Sequence, residues 1–248
     1  MSKTVGIIAG TGFYDIPGLI DKEWKEVNTA YGTAKVMTGN WNGIPVVFLT
    51  RHGAKHSIPP HMINFRANIR ALKDSGVSKV VAISVVGGVD TTLKPGDLTL
   101  IDDFVDFTSG REHTFFDGTG PEGVQHVDVT YPYDRKIQAA LRESAAKQGI
   151  SLREKGIYAG FNGPRFETPA EIRFAALAGA TVVGMTGCPE VVLAREAGIP
   201  YATIALIVNP AAGLSEKEIT VEDINIALDL GREKTLSIIA GALQTLSN

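Results

Sequence analysis

"YATIALIVNPAAG", residues 201–213, decides how the rest of the chain is read. Residues 201–208 form an almost unbroken apolar run of one strand's length. A run without polar alternation reads as a strand buried on both faces. It stops at an amide, Asn209. Pro210 stiffens the backbone there, and two alanines and a glycine clear the space around it. A helical segment precedes the run at 189–197, and another starts from a Thr220 cap. A buried strand between two helices is the repeating unit of an α/β fold with a parallel sheet.

The same grammar extends outward. "TVGIIAG" (4–10), "IPVVFLTR" (44–51), "KVVAISVVGG" (79–88), "DLTLIDDFVDF" (97–107) and "TVVGM" (181–185) read as further strands. Residues 61–74 carry a helical stripe through Ile63, Ala67, Ile69 and Leu72. Other helices are expected at 134–147 and 169–178. The second opens with Thr168, Pro169 and Glu171, a capping box with proline at the first position. The last helix places Ile224, Leu228, Gly231, Thr235, Ile239, Ala242 and Leu246 on one face. No internal repeat, linker or low-complexity tract interrupts this order. The expectation is an α/β fold in a single domain over residues 1–248: a central, mostly parallel mixed sheet flanked by helices. Ligands in such sheets bind beyond the strand C-termini. The mouths to examine are residues 10–12, 51–52, 84–88, 184–189 and Asn209.

Composition narrows the function. The 248 residues are 44% hydrophobic and 21% charged, with a net charge of −3. That is an ordinary globular balance, large enough for a core without disulfide or metal staples. No basic cluster marks a nucleic-acid surface. An anionic ligand must then be held by a few local groups. The single cysteine, Cys188, excludes an internal disulfide and fits a reducing compartment. The N-terminus reads as neither secretory signal nor membrane span, so the expected location is cytoplasmic.

Several mouths carry chemistry. "AGTGF" (9–13) sets the hydroxyl of Thr11 between two glycines, which let a backbone approach an anion. It has neither the Walker nor the dinucleotide-binding spacing, and a tight turn explains it equally well. In "TRHGAKHSIPPH" (50–61), Arg51 and His52 leave a strand together, a pairing suited to a divalent oxyanion. A metal is the rival there, but His52, His56 and His61 lack a carboxylate or thiol companion. Ser84 precedes a Gly-Gly strand end, and Thr186 sits in a small loop before a helix. Thr11, Arg51, Ser84 and Thr186 together point to one phosphate-sized anion site. Met185 is placed to pack on a sugar, although a methionine at a strand end also reads as core. Phe166 offers a face for a heterocycle and Glu167 a carboxylate for a ring N–H. The plainer reading makes one core and the other a helix-start acid.

"GIIAGTGF", "TRHG", "PPHMINFRANIRALK", "GPRFET-AE", "GMTGCPEVVLARE" and "NPAAG", in this order, closely resemble the trimeric purine nucleoside phosphorylases, especially the methylthioadenosine phosphorylase branch. "FTSGREHTFFDG" (107–118) and "YPYD" (131–134) look most like the bacterial methylthioinosine phosphorylases. The resemblance implies cleavage of a purine nucleoside by inorganic phosphate as co-substrate, without a cofactor or metal. It implies a phosphate site of Thr11, Arg51, His52, Ser84, Val85 through its backbone, and Thr186. Met185 matches the ribose-packing methionine, and Phe166 the aromatic against the base. His126 matches a histidine lent by a neighbouring subunit to the 5′ side, so a homotrimer with interfacial active sites is implied.

Base preference follows from departures within the family. The adenine-specific branch carries aspartates where this chain has Asn209 and Ala211, and a small hydroxyl residue where it has Glu167. An amide that donates to O6 or N7 and a carboxylate that accepts from N1–H favour a 6-oxopurine. Asn209, Glu167 and His52 are therefore the expected catalytic groups. At the 5′ side, Val221 and Ile224 stand where 5′-hydroxyl phosphorylases have a histidine, and an apolar lining suits a methylthio group. Asn225 pulls the other way. The expected reaction is phosphorolysis of S-methyl-5′-thioinosine. Inosine or guanosine phosphorolysis and methylthioadenosine phosphorolysis are the enzymatic alternatives. A nucleoside-binding sensor is the alternative outside enzymes, and the intact Arg51, His52, Thr186 and Asn209 argue against it.

Overall fold

The computed structural model describes residues 3–53 and 57–248. Among the described residues, ten strands join one sheet. Its centre is β5 (Val77–Gly88), flanked by β1 (Thr4–Ala9) and β10 (Tyr201–Pro210), both parallel to it. β4 (Ile44–Thr50) continues parallel beyond β1. These four are the buried apolar runs of the sequence. Burial on both faces is what an all-apolar strand needs, and it places them at the middle of a layered α/β core.

Helices cover both faces. α1 (Phe65–Asp74) buries Ala67, Ile69 and Leu72 in one cluster with α4 (Glu190–Glu196). α2 (Arg135–Lys147) and the long α5 (Val221–Leu246) share the opposite cluster, where Leu228, Ile239, Ala242 and Leu246 of the predicted stripe are buried. α3 (Pro169–Leu177) starts with the expected capping box: Glu171 N–H donates to Thr168 Oγ1 at 3.2 Å and Thr168 N–H to Glu171 Oε2 at 2.7 Å.

Three features depart from the sequence reading. An antiparallel ribbon, β2 (Leu19–Thr29) and β3 (Gly32–Trp41), extends the sheet outward from β4. The expected strand at 97–107 is two strands. β6 (Leu98–Ile101) runs antiparallel to β10, while β7 (Asp103–Asp106) runs parallel to β8 (Ile157–Gly160), which was not anticipated. The chain switches neighbours at Asp102, whose N–H donates to Gly156 O at 2.9 Å.

The pairing around β5 makes the opening for a ligand. β10 takes one edge of β5 from Val80 to Gly88. On the other edge β1 ends opposite Ala82, and β9 (Val182–Gly184) joins only at Gly87 and Gly88. No described strand pairs with that edge between them. The sheet therefore parts near Ile83–Val86, a gap bounded by the mouths of β1, β4, β9 and β10.

Candidate active site

A cavity of about 340 Å³ fills this gap, within the size range of small-molecule sites. Thr11 reaches it from the end of β1, Arg51 and His52 from β4, and Val85 from β5. Met185 and Thr186 enter from β9, Asn209 from β10, and Phe166 and Glu167 from the approach to α3. Val221, Ile224 and Asn225 close it from the first turn of α5. Residues more than 200 positions apart in the sequence thus converge, because the parallel strands β1, β4 and β10 deliver their C-terminal ends to one side of the sheet and β9, antiparallel to β5, runs back into the gap.

Ser84 and His126 are not among the lining. Ser84 lies on β5 between Ile83 and Val85, which do line the cavity together with Val86 and Gly87. Its hydroxyl is buried without a hydrogen-bond partner in the chain. His126 is exposed and does not line this chain's cavity. His61 lies on an exposed single turn, and His56 falls outside the described residues.

Arg51 is 2% exposed and held on three sides. Its Nε and Nη2 donate to the two oxygens of Glu190 at 2.7 Å each, and Nη1 donates to Ile83 O at 2.7 Å. The Tyr201 hydroxyl donates to Glu190 Oε1 at 2.7 Å. Burial alone would lower the guanidinium's pKa. The charge and hydrogen bonds of Glu190 outweigh that and raise it above its usual value. Three of the five N–H donors are used, so Arg51 offers the cavity directed donors within a charge-balanced pair. His52 Nδ1 donates to Ile58 O at 2.8 Å, which fixes the ring. Its opposite edge lies against Gly10, where a Cβ would come within 3.4 Å of Nε2.

The other end of the cavity is built differently. Glu167 is buried, Oε1 has no hydrogen-bond partner, and desolvation raises its pKa. It precedes the Thr168 cap, so it is no part of the helix's first turn. Asn209 is likewise buried, and its Nδ2 donates to Pro210 O at 2.7 Å, which sets the orientation of the amide. Phe166 and Val221, at the rim, are 44% and 72% exposed.

Sequence reasoning missed Glu190 and Tyr201. Glu190 stands 139 positions from Arg51, and an acid opening a helix already has a reason to be there. A wider groove of about 510 Å³ lies between α5 and Trp41. It touches only the end of β3, at Trp41, and Arg232 there donates to the Asp15 carbonyl. Among the described residues, no helix is long and apolar enough to cross a membrane.

The chain is similar to known proteins over nearly its whole length. Residues 4–244 match the profile of the Phosphorylase superfamily. A 6-oxopurine nucleoside phosphorylase of Pyrococcus furiosus is 42% identical, over 96% of this chain and 91% of its own. A probable S-methyl-5′-thioinosine phosphorylase of Pseudomonas syringae pv. tomato is also 42% identical, over 96% of this chain and 97% of its own. Among solved structures, a methylthioadenosine phosphorylase from Schistosoma mansoni in complex with adenine superposes with a TM-score of 0.92 at 30% identity, covering 98% of this chain and 91% of that one. With the strand ends converging on one cavity, these likenesses lead to one conclusion: the chain belongs to the Phosphorylase superfamily and is an enzyme of the nucleoside phosphorylase type.

Proposed function

We propose that this enzyme cleaves a 6-oxopurine nucleoside, S-methyl-5′-thioinosine foremost, with orthophosphate. The products are hypoxanthine and 5-methylthioribose 1-phosphate. One observation carries the reading: the unpartnered, buried Glu167 oxygen shares its cavity with the Asn209 amide. A 6-oxopurine brings an N1–H that satisfies the carboxylate and an O6 and N7 that accept from an amide. Adenine brings a lone pair at N1 and leaves the carboxylate unpaired. A site whose buried groups pair with one base rejects the other by orders of magnitude.

The C1′–N9 bond breaks with its electron pair going to the purine, while a phosphate oxygen bonds to C1′. Asn209 and Glu167 hold the departing base as it gains charge. Arg51, His52, Thr11 and Thr186 hold phosphate against the sugar's other face, with Met185 beneath the ribose and Phe166 against the base. Positioned donors acting in a desolvated cleft supply the acceleration. The exposed rim at Phe166 and Val221 fits completion by a neighbouring subunit carrying His126 in a homotrimer.

At the 5′ end Val221 and Ile224 present apolar surface suited to a methylthio group. A second reading, inosine or guanosine phosphorolysis, is favoured by Asn225 in the same lining. The relatives carry both names. The test is phosphate-dependent release of free base from methylthioinosine, inosine, guanosine and methylthioadenosine. Methylthioinosine is expected to have the highest kcat/KM. Faster release from methylthioadenosine defeats the base assignment, and faster release from inosine defeats the 5′ assignment.

A further inference from the structure

Arg111, in the stretch after β7, is a partly buried cation whose hydrogen bonds all run to main-chain carbonyls. Nη2 donates to Met185 O at 2.8 Å, to Asn162 O at 3.0 Å and more distantly to Phe161 O at 3.4 Å. Nη1 donates to Cys188 O, and the guanidinium lies 5.2 Å over the ring of Phe65. The acceptors belong to two strand mouths, those of β8 and β9. Tyr158, on β8, meets the second mouth through its other polar groups. Its buried hydroxyl accepts from Thr186 N–H at 3.0 Å and from Gly187 N–H at 3.1 Å.

The peptide joining Met185 to Thr186 is therefore gripped at both ends: its carbonyl by Arg111, its N–H by Tyr158. The neighbouring glycines make room for this. A Cβ at Gly187 would come within 2.8 Å of the Tyr158 ring, and one at Gly184 would collide with the hydroxyl. Buried main-chain groups need partners, so a loop whose amides and carbonyls are already engaged has few other conformations open to it. That loop carries Met185 and Thr186, both in the cavity lining.

We infer that Arg111 and Tyr158 are positioning residues: a two-sided clamp that fixes loop 185–188 from behind, so that Thr186 and Met185 stand ready for phosphate and sugar before either binds. The kinetic part of this inference rests on reading the cavity as a phosphorolysis site. The mechanical part does not. Neither residue needs to touch substrate.

The test compares Tyr158→Phe, which keeps the ring and loses the acceptor, with Arg111→Gln and Arg111→Lys. Amide hydrogen exchange over residues 184–189 is expected to quicken by about tenfold or more in Tyr158→Phe and Arg111→Gln as local opening becomes easier. Arg111→Lys should stay close to Arg111→Gln, because an ammonium cannot reproduce the fork. KM for phosphate is expected to rise about tenfold through misplacement of Thr186. Affinity for hypoxanthine alone, measured by calorimetry, should stay within about threefold, since Glu167 and Asn209 lie on other walls. Unchanged exchange at 184–189 overturns the clamp. Equal losses in phosphate and hypoxanthine affinity, tracking a lower Tm, reduce it to a general structural role and also overturn it. A wild-type enzyme that releases no base from any nucleoside defeats the proposed function, while the exchange arm still decides the clamp. Should Arg111→Gln fail to fold, Tyr158→Phe decides it alone.

Discussion

The two ends of the cavity treat buried charge in opposite ways. At the phosphate end, Arg51 is matched to Glu190 by two 2.7 Å bonds, and Tyr201 and the Ile83 carbonyl complete the set. At the base end, Glu167 is buried with an oxygen that no protein group satisfies. The first end is finished before substrate arrives. The second is left for the ligand to finish. Phosphate is small and always the same, so a preformed, charge-balanced cradle suits it. In the proposed function the nucleobase must be chosen, and an unpaired carboxylate would choose by remaining unpaired with the wrong base.

Breaking the finished end should have the largest effect. Glu190→Ala strands the Arg51 guanidinium in the interior, and removing one partner of such a pair costs about 3–5 kcal/mol. Chemical denaturation should show the loss, with phosphorolysis falling alongside it. A variant within about 1 kcal/mol of wild type would mean that water reaches Arg51 and that the pair is not closed as described.

At the unfinished end, Asn209→Ala should lower kcat on the preferred 6-oxopurine nucleoside by about 10²-fold, the size of losing one donor to a charge that develops in the transition state. Its stability should change little, because the carbonyl that loses the amide belongs to exposed Pro210, where water can replace it. Assayed at saturating phosphate, a rate within about threefold of wild type would remove Asn209 from catalysis.

The contrast between the ends also separates what the sequence made legible from what it did not. Strand mouths were legible because apolar runs ending in glycine or an amide need no knowledge of partners. Asn209, Thr11 and the Arg51–His52 pair came from that grammar alone. The ribbon of β2 and β3 was not, because β2 carries only Leu19 among its buried residues and so lacks the apolar signature of a strand. β6 and β7 merged because the apolar pattern runs through Asp102, where only a tertiary hydrogen bond marks the break. The charge balance of Arg51 was hidden for another reason: pairing across the fold has no local trace.

Glu167→Gln sharpens the comparison through pH. Burial raises the carboxyl's pKa, so the folded chain holds that proton more tightly than the unfolded chain does. The stability this contributes is complete below the unfolded value of about 4.3 and is lost as pH rises through the higher folded value. Base recognition runs the opposite way, because only the carboxylate accepts from N1–H. In wild type, kcat/KM for a 6-oxopurine nucleoside should therefore fall as pH drops through that folded value. In Glu167→Gln this acid limb should disappear, and the preference over adenine nucleosides should shrink by about thirtyfold, roughly 2 kcal/mol for a charged hydrogen bond. An acid limb that survives the substitution would take the titration away from Glu167.

The smallest effect belongs to the 5′ rim, where neither end's logic applies and only apolar contact is at stake. Ile224 is partly buried and lines the cavity from the first turn of α5. Truncation to alanine removes three carbons from the surface assigned to the methylthio group and leaves the Thr220 cap in place. A hydrophobic pocket discriminates by only about 10- to 200-fold per methylene-sized change. Ile224→Ala should accordingly lower kcat/KM for methylthioinosine by about tenfold, at the shallow end of that range because the rim is open. Inosine should change by less than about threefold, since a 5′-hydroxyl gains little from that wall. Asn225→Ala should reverse the pattern and weaken inosine alone. If both substitutions depress the two nucleosides equally, the first turn of α5 supports the rim without reading the 5′ substituent.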